Sequence, residues 1–166
     1  RCVVLPCAGG QFVRRSTEEK RYLNQKGIPS PLFQPELLLG EGPVFLAEGA
    51  FDALSAEEMG FSCAAMNGAG NREKIAALLR QREAPGLILL VPDNDRAGDT
   101  WAQELLTEFP WLYRCPPIPT GKDLNDLLLS GREAAAAYLS AAVAAARAQQ
   151  PAPYEDSSAA RQIESL

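Results

Sequence analysis

The sequence predicts an α/β domain with a parallel sheet, on three observations. Apolar runs at 44–48 (VFLAE), 62–66 (SCAAM) and 86–91 (GLILLV) have strand length and no polar alternation, the pattern of strands covered on both faces. Segments with helical spacing lie between them, and strands alternating with helices imply right-handed crossovers within one sheet. A chain of 166 residues, 46% of them hydrophobic, can also fill the core such a sheet needs.

The first element is a strand pair, CVVLPC (2–7) and QFVRRS (11–16), joined by a turn at Ala8, Gly9 and Gly10. The polar stretch 17–31 reads as irregular. After strand 44–48 a helix is expected over 50–60, where Phe51, Leu54 and Met59 share a face and Gly60 closes the C-terminus. NGAGN (67–71) is a turn, and Asn71 stands where a helix over 72–81 takes its N-cap. Beyond strand 86–91 the pattern predicts a helix over 97–109, a strand over 111–116, a loop to Gly121 and a short helix over 123–130 stopped by Gly131. Alanine-rich 133–149 has strong helix propensity and is expected to pack through Tyr138, Leu139 and Val143. The expected units are therefore 1–42 (strand pair and basic loop), 43–131 (parallel sheet flanked by helices), 132–150 (a C-terminal helix) and 151–166 (a mobile tail rich in proline and small polar residues).

Charge divides the chain. Residues 1–30 carry six basic side chains and two acidic ones, a balance of +4, whereas 31–166 carry ten basic and nineteen acidic, a balance of -9. A basic arm beside an acidic body suits a protein that holds a polyanion with one part and metal cations with the other. No apolar run nears the roughly 20 residues of a membrane span, so no membrane is expected and the cytoplasm is the expected location. The start at Arg1, without an initiator methionine, suggests a piece of a longer protein. Cys2, Cys7, Cys63 and Cys115 form no C-x-x-C pair and the chain has no histidine, so a zinc site is not expected and the four are read as reduced core thiols.

The acids carry the chemistry. In open parallel sheets ligands bind beyond the carboxyl ends of the strands, where Glu48 ends one strand and Asp93 follows another. Asp95 lies two residues on, and Asp52 lies one helical turn after Glu48 and faces back toward it. DNDRAG alone could merely cap the next helix. Paired with EGAFD at a second strand tip, it reads instead as a cluster of carboxylates that either takes up protons or is neutralised by a divalent cation. Mg²⁺, which prefers hard oxygen ligands, is the better answer, and the lack of histidine excludes a histidine general base.

At these residues the sequence resembles the TOPRIM domains of DnaG-type primases, topoisomerases, OLD-family nucleases and RecR-type repair proteins. VFLAEGAFD and LILLVPDNDRAG match that family's paired motifs in order and spacing, across about 43–131. The resemblance implies that Glu48 is the acid associated with catalysis, that Asp93 and Asp95 bind Mg²⁺ (with Mn²⁺ as substitute), and that Asp52 matches the aspartate following the first motif in primases. KRYLNQKGIPSPLF (20–33) resembles the basic motif of DnaG-type polymerase domains, and VVLPCAGGQFVRRS the strand pair that opens them. IPTGKDLND resembles their GKD segment, which implies a further metal or nucleotide contact for Asp123, with Lys122 as a candidate phosphate contact. With a reduced N-terminal unit and no zinc module, the chain looks most like the primase-like modules of phages, plasmids and mobile elements.

The implied function is metal-dependent nucleotidyl transfer from nucleoside triphosphates on single-stranded DNA, with a helicase or neighbouring domains of the same protein as partners. Arg14, Arg15, Lys20, Arg21 and Lys26 would track phosphates, Tyr22 would stack on a base or sugar, and Asn24 would bond a phosphate or nucleotide edge. Two other readings stay open: a Mg²⁺-dependent nuclease, and a binding module with no catalysis of its own.

Overall fold

The computed structural model describes residues 1–19, 22–23, 27–82 and 86–149. An antiparallel pair, β1 (Cys2–Pro6) and β2 (Phe12–Ser16), stands apart from a four-stranded parallel sheet. The sheet consists of β3 (Val44–Ala47), β4 (Cys63–Ala65), β5 (Ile88–Val91) and β6 (Tyr113–Arg114), in the order β4-β3-β5-β6. Its helices are α1 (Ala50–Glu58), α2 (Arg72–Arg80), α3 (Arg96–Glu108), α4 (Leu124–Ser130) and α5 (Arg132–Gln149). The fold class is the expected one. No helix among the described residues is long and apolar enough to cross a membrane.

The apolar strands are buried on both faces because their alternate side chains serve two cores. Phe45, Ala47, Leu89 and Val91 pack with α1, α4 and α5, while Val44, Leu46, Ile88 and Leu90 pack with α2 and α3. Each fully buried Leu, Ile or Phe contributes about 1.5–3 kcal/mol. Strand order fixes the site: the chain leaves β3 for β4 on one side, then crosses back to β5 on the other. The register Ala47↔Val91 brings the residues that follow β3 and β5 side by side at this switch point.

The strand pair docks through Val13, which is buried in the α1, α4 and α5 core. An isolated bridge between Phe33 and Ala65 ties the following loop to the edge of β4.

Several expectations need correction. The strands are shorter than their apolar runs: Glu48 already lies in the bend after β3, and only Tyr113 and Arg114 of 111–116 pair with β5. A 3-10 turn at Pro35–Leu39 was not expected, since proline at its start offers no sequence periodicity to read. Asn71 does not cap α2; its Nδ2 donates to the carbonyls of Ser30 (2.8 Å) and Met66 (2.7 Å). The four cysteines are unpaired, yet only Cys63 and Cys115 lie in the core and Cys2 is exposed. The α5 contact runs chiefly through Ala135, Leu139, Ala142 and Ala146, with Tyr138 and Val143 half-buried at its side. The expected tail, 151–166, lies outside the described residues.

Candidate functional site

At the switch point the carboxylates meet in a cleft of about 420 Å³, whose walls include Glu48, Asp52, Asp93, Lys122 and Asp123. Two glycines let the backbone close around it. A Cβ on Gly98 would stand 2.2 Å from the Asp93 carbonyl oxygen, and one on Gly49 would stand 2.9 Å from Asp52 Oδ2 and 3.2 Å from the Tyr22 hydroxyl. The glycines of EG and DNDRAG are therefore demanded by space at the site rather than by a turn.

The acids are in different electrostatic states. Glu48 Oε2 is buried and has no hydrogen-bond partner among the described residues. Burial, then the charge of Asp95, raises the Glu48 pKa, while the nearby Trp101 indole favours its charged form. That indole N–H makes no hydrogen bond of normal geometry. Burial also pushes Asp93 up to about 6, with Glu48 the next cause. Asp52 rises to about 7 through burial and the charge of Asp123, although its Oδ1 accepts from the Asn125 N–H at 3.1 Å. Asp95 moves the other way. Its Oδ1 accepts from the Gly98 N–H (2.8 Å), capping α3, and this bond and Lys122 hold its pKa below the usual range.

A single ammonium bridges Asp93 and Asp95. Lys122 Nζ stands 3.0 Å from Asp95 Oδ2 and 3.5 Å from Asp93 Oδ2. Lys122, expected as a phosphate contact, here pairs with two of the acids. Its loop is held by Asn94, the middle residue of DND, whose Nδ2 donates to the carbonyls of Ile118 (2.8 Å) and Gly121 (3.1 Å). Asn94 Oδ1 accepts from the Ile118 N–H (3.0 Å), and the Asn94 N–H donates to the Lys122 carbonyl (2.7 Å). As arranged, no three His, Cys, Asp or Glu side chains among the described residues are gathered to hold a metal ion.

The basic arm reaches the cleft in part. Arg15 lies over the Phe51 ring (4.2 Å) and the Tyr22 ring (5.8 Å), and both Arg15 and Tyr22 line the cleft. Arg14 does not line it, because successive strand residues point to opposite faces; its Nε donates to the Leu23 carbonyl. Asp123 caps α4, its Oδ1 accepting from the Asp126 N–H at 2.7 Å. Lys20, Arg21, Asn24 and Lys26 lie outside the described residues.

Sequence reasoning missed the asparagines that build the cleft. Asn94 was one, and Asn67 another: with φ +55° it turns its Oδ1 to the Ala50 N–H (3.0 Å) and its Nδ2 to the Pro31 carbonyl (2.7 Å). One side chain thereby joins the start of α1, the loop after β4 and the basic arm. The Asn67-Gly68 pair was legible as a turn, but its bridging role was not.

Residues 45–128, half of the chain, match the Toprim-like family. The chain belongs to that family. Among solved structures, this Toprim-like fold superposes on the primase fragment of the bacteriophage T7 primase-helicase protein with a TM-score of 0.61 at 21% identity, covering 86% of this chain and 62% of that one. It also superposes on a bacteriophage T7 lagging-strand polymerase assembly with primase domains bound to an RNA/DNA hybrid and dTTP (TM-score 0.62, 20% identity, 86% of this chain and 75% of that one). A third match is the DnaG primase catalytic domain bound to single-stranded DNA (TM-score 0.55, 21% identity, 84% and 52%). These likenesses are of fold: the chain shares the architecture of those domains. The chain spans 62% of the T7 fragment and 52% of the DnaG domain. No curated protein matches it.

Proposed function

We propose that this chain is the TOPRIM portion of a primase-type nucleotidyltransferase, which joins nucleotides on single-stranded DNA. One observation carries the reading: Glu48, with one buried oxygen that has no hydrogen-bond partner among the described residues, lines the same strand-tip cleft as Asp93, and Lys122 links Asp93 to Asp95 at its edge. The donors are hard oxygens, and among the described residues lining the cleft four carboxylates (Glu48, Asp52, Asp93 and Asp123) face two cations (Arg15 and Lys122). Both features fit Mg²⁺, or Mn²⁺ in its place. Glu48, Asp93 and Asp95 would hold the ion, with Asp52 and Asp123 contributing charge from behind. When bound, it neutralises phosphate oxygens and acidifies a 3′-hydroxyl.

The chain's own residues do the rest. Glu48 and Asp93 retain protons more readily than ordinary carboxyls and would give them up on holding a cation, whereas Asp95 ionises more readily than an ordinary carboxyl. Arg15 places a guanidinium at the cleft wall for phosphate, and the exposed part of Tyr22 offers a base a stacking face. Arg14, Lys20, Arg21, Asn24 and Lys26 extend this contact along the backbone. In this division of labour 1–42 is the nucleic-acid arm, 43–131 the catalytic unit and 132–150 a helix that supports it. The DnaG domain bound to single-stranded DNA, and the T7 domains bound to an RNA/DNA hybrid and dTTP, support template and nucleotides as partners. The T7 fragment's origin in a primase-helicase supports a helicase as neighbour.

The test incubates the chain with single-stranded DNA, labelled nucleotides and Mg²⁺ or Mn²⁺. New oligonucleotides are expected, and Asp93→Asn should lower their yield at least about 100-fold with an unchanged circular dichroism spectrum. A fully active variant would refute the metal assignment, and shortened DNA would identify a nuclease instead. A metal-independent binding module is the second reading, favoured by the fact that Lys122 already pairs with Asp93 and Asp95. It predicts DNA binding indifferent to EDTA and no product.

A further inference from the structure

We propose that Lys122 is a tethered counter-ion that competes with the divalent cation for Asp93 and Asp95, so that the chain's metal affinity is set by displacing its own lysine. The inference rests on the metal reading above. It starts from geometry: the Lys122 ammonium reaches both carboxylates at once, at 3.0 and 3.5 Å, through one oxygen of each. Asp95 has its other oxygen committed to the Gly98 N–H, so Oδ2 is the atom it has left to offer. Lysine and metal therefore want the same atom.

The anchoring of the lysine is one-sided. Asn94 fixes the backbone on both flanks of the loop, at Ile118 and at Gly121 and Lys122, whereas the Lys122 side chain is 56% exposed. Gly121 takes φ +86°, and a Cβ there would stand 2.5 Å from Asp126 Cβ, so the loop has little freedom to carry the ammonium away. Release must come from rotation of the four-carbon stem, with its base held in place. Such an arrangement keeps the ammonium within reach of the cleft after displacement, where anionic phosphate oxygens are its natural new partner.

The effect of the exchange on affinity is clear in sign. A divalent ion has to break two short charge contacts, and it then shares the cleft with a cation it has expelled. Neutral Lys122→Met removes both costs while keeping the length of the stem. Calorimetric titration with Mg²⁺ should show binding about tenfold tighter in Lys122→Met than in the wild type. Thermal unfolding with and without Mg²⁺ should show a larger metal-induced rise for the variant. Lys122→Gln serves the same comparison if the methionine variant does not fold. Wild-type protein labelled with ¹⁵N-lysine gives an independent reading, because the Lys122 amine signal should shift and lose its hydrogen-bonded character as Mg²⁺ is added. Equal or weaker Mg²⁺ binding by the neutral variants would overturn the competition and leave the metal site standing. Absence of Mg²⁺ binding by wild type and variants alike would overturn both.

Discussion

Two charge clusters on this molecule solve the same problem in opposite ways. On the outer face, Arg72 and Arg80 of α2 interleave with Glu73, Glu104 and Glu108, at distances that include 2.9 Å for Arg72 to Glu104 and 2.9 Å for Arg80 to Glu73. Two groups there are stabilised in their charged forms: the Glu73 pKa is lowered and the Arg80 pKa raised, chiefly by their mutual hydrogen bond. At the strand tips the shifts of Glu48, Asp52 and Asp93 run toward the neutral form, because burial removes water and their neighbours are mostly acids. The outer face is paired and largely exposed, and its ion pairs join α2 to α3. The inner cluster is left with more negative charge than its cations balance, which is what a site built to receive a cation requires.

The sharpest way to break this comparison is to spoil the spacing that creates the inner cluster. Gly98→Ala would drive a methyl group to within 2.2 Å of the Asp93 carbonyl oxygen, so α3 and the Asp93 loop must separate by about 1 Å. We expect a loss of stability of about 3 kcal/mol and, on the proposed function, a fall in product yield of about 100-fold or more, since misplacement on this scale is costly at a reacting centre. Denaturant melts and primer synthesis would check it. An unchanged Tm with full activity would mean that helix and acid loop are not locked together.

How much of this could be read beforehand depends on the kind of interaction. The parallel sheet, its helices and the convergence of Glu48, Asp93 and Asp95 on one edge were legible, because apolar runs and strand-tip acids are local patterns with one topological consequence. The roles of Asn67, Asn94 and Asn71 were not. Each depends on a partner that the chain supplies from a distance: Pro31 for Asn67, Ile118 and Gly121 for Asn94, and Ser30 for Asn71. An asparagine near a turn looks the same in sequence whether it caps a helix or bridges two loops. The pairing of Lys122 with Asp93 and Asp95 was hidden for a similar reason, since it appears only once the loop has been folded over them.

The second test is pH. An acid whose folded pKa exceeds its unfolded value binds more protons folded than unfolded between the two, so stability falls as pH rises through that window. For Asp52 the window runs from 3.8 to about 7, and for Asp93 from 3.8 to about 6. In EDTA the protein should lose on the order of 2 kcal/mol between about pH 4.5 and about pH 7.5, after which these groups add no further slope. Asp52→Asn keeps an acceptor for the Asn125 N–H without the buried charge, so it should be the more stable protein at pH 8 and show the flatter profile. Matching profiles for variant and wild type would show that Asp52 is as well solvated as an ordinary surface acid.

The smallest effect is expected where charges are already satisfied. Removing one charge from the outer face with Glu104→Gln leaves Arg72 its contacts to Glu73 (3.4 Å) and Glu108 (3.8 Å). All of these side chains are solvated, and water compensates most of what is lost, so Tm should change by no more than about 2 °C. The shift should shrink further in 1 M salt, where the screening length falls to about 3 Å. A change of more than about 5 °C that persists in high salt would mean that the outer network braces α2 against α3, and that the two clusters differ in exposure alone rather than in balance.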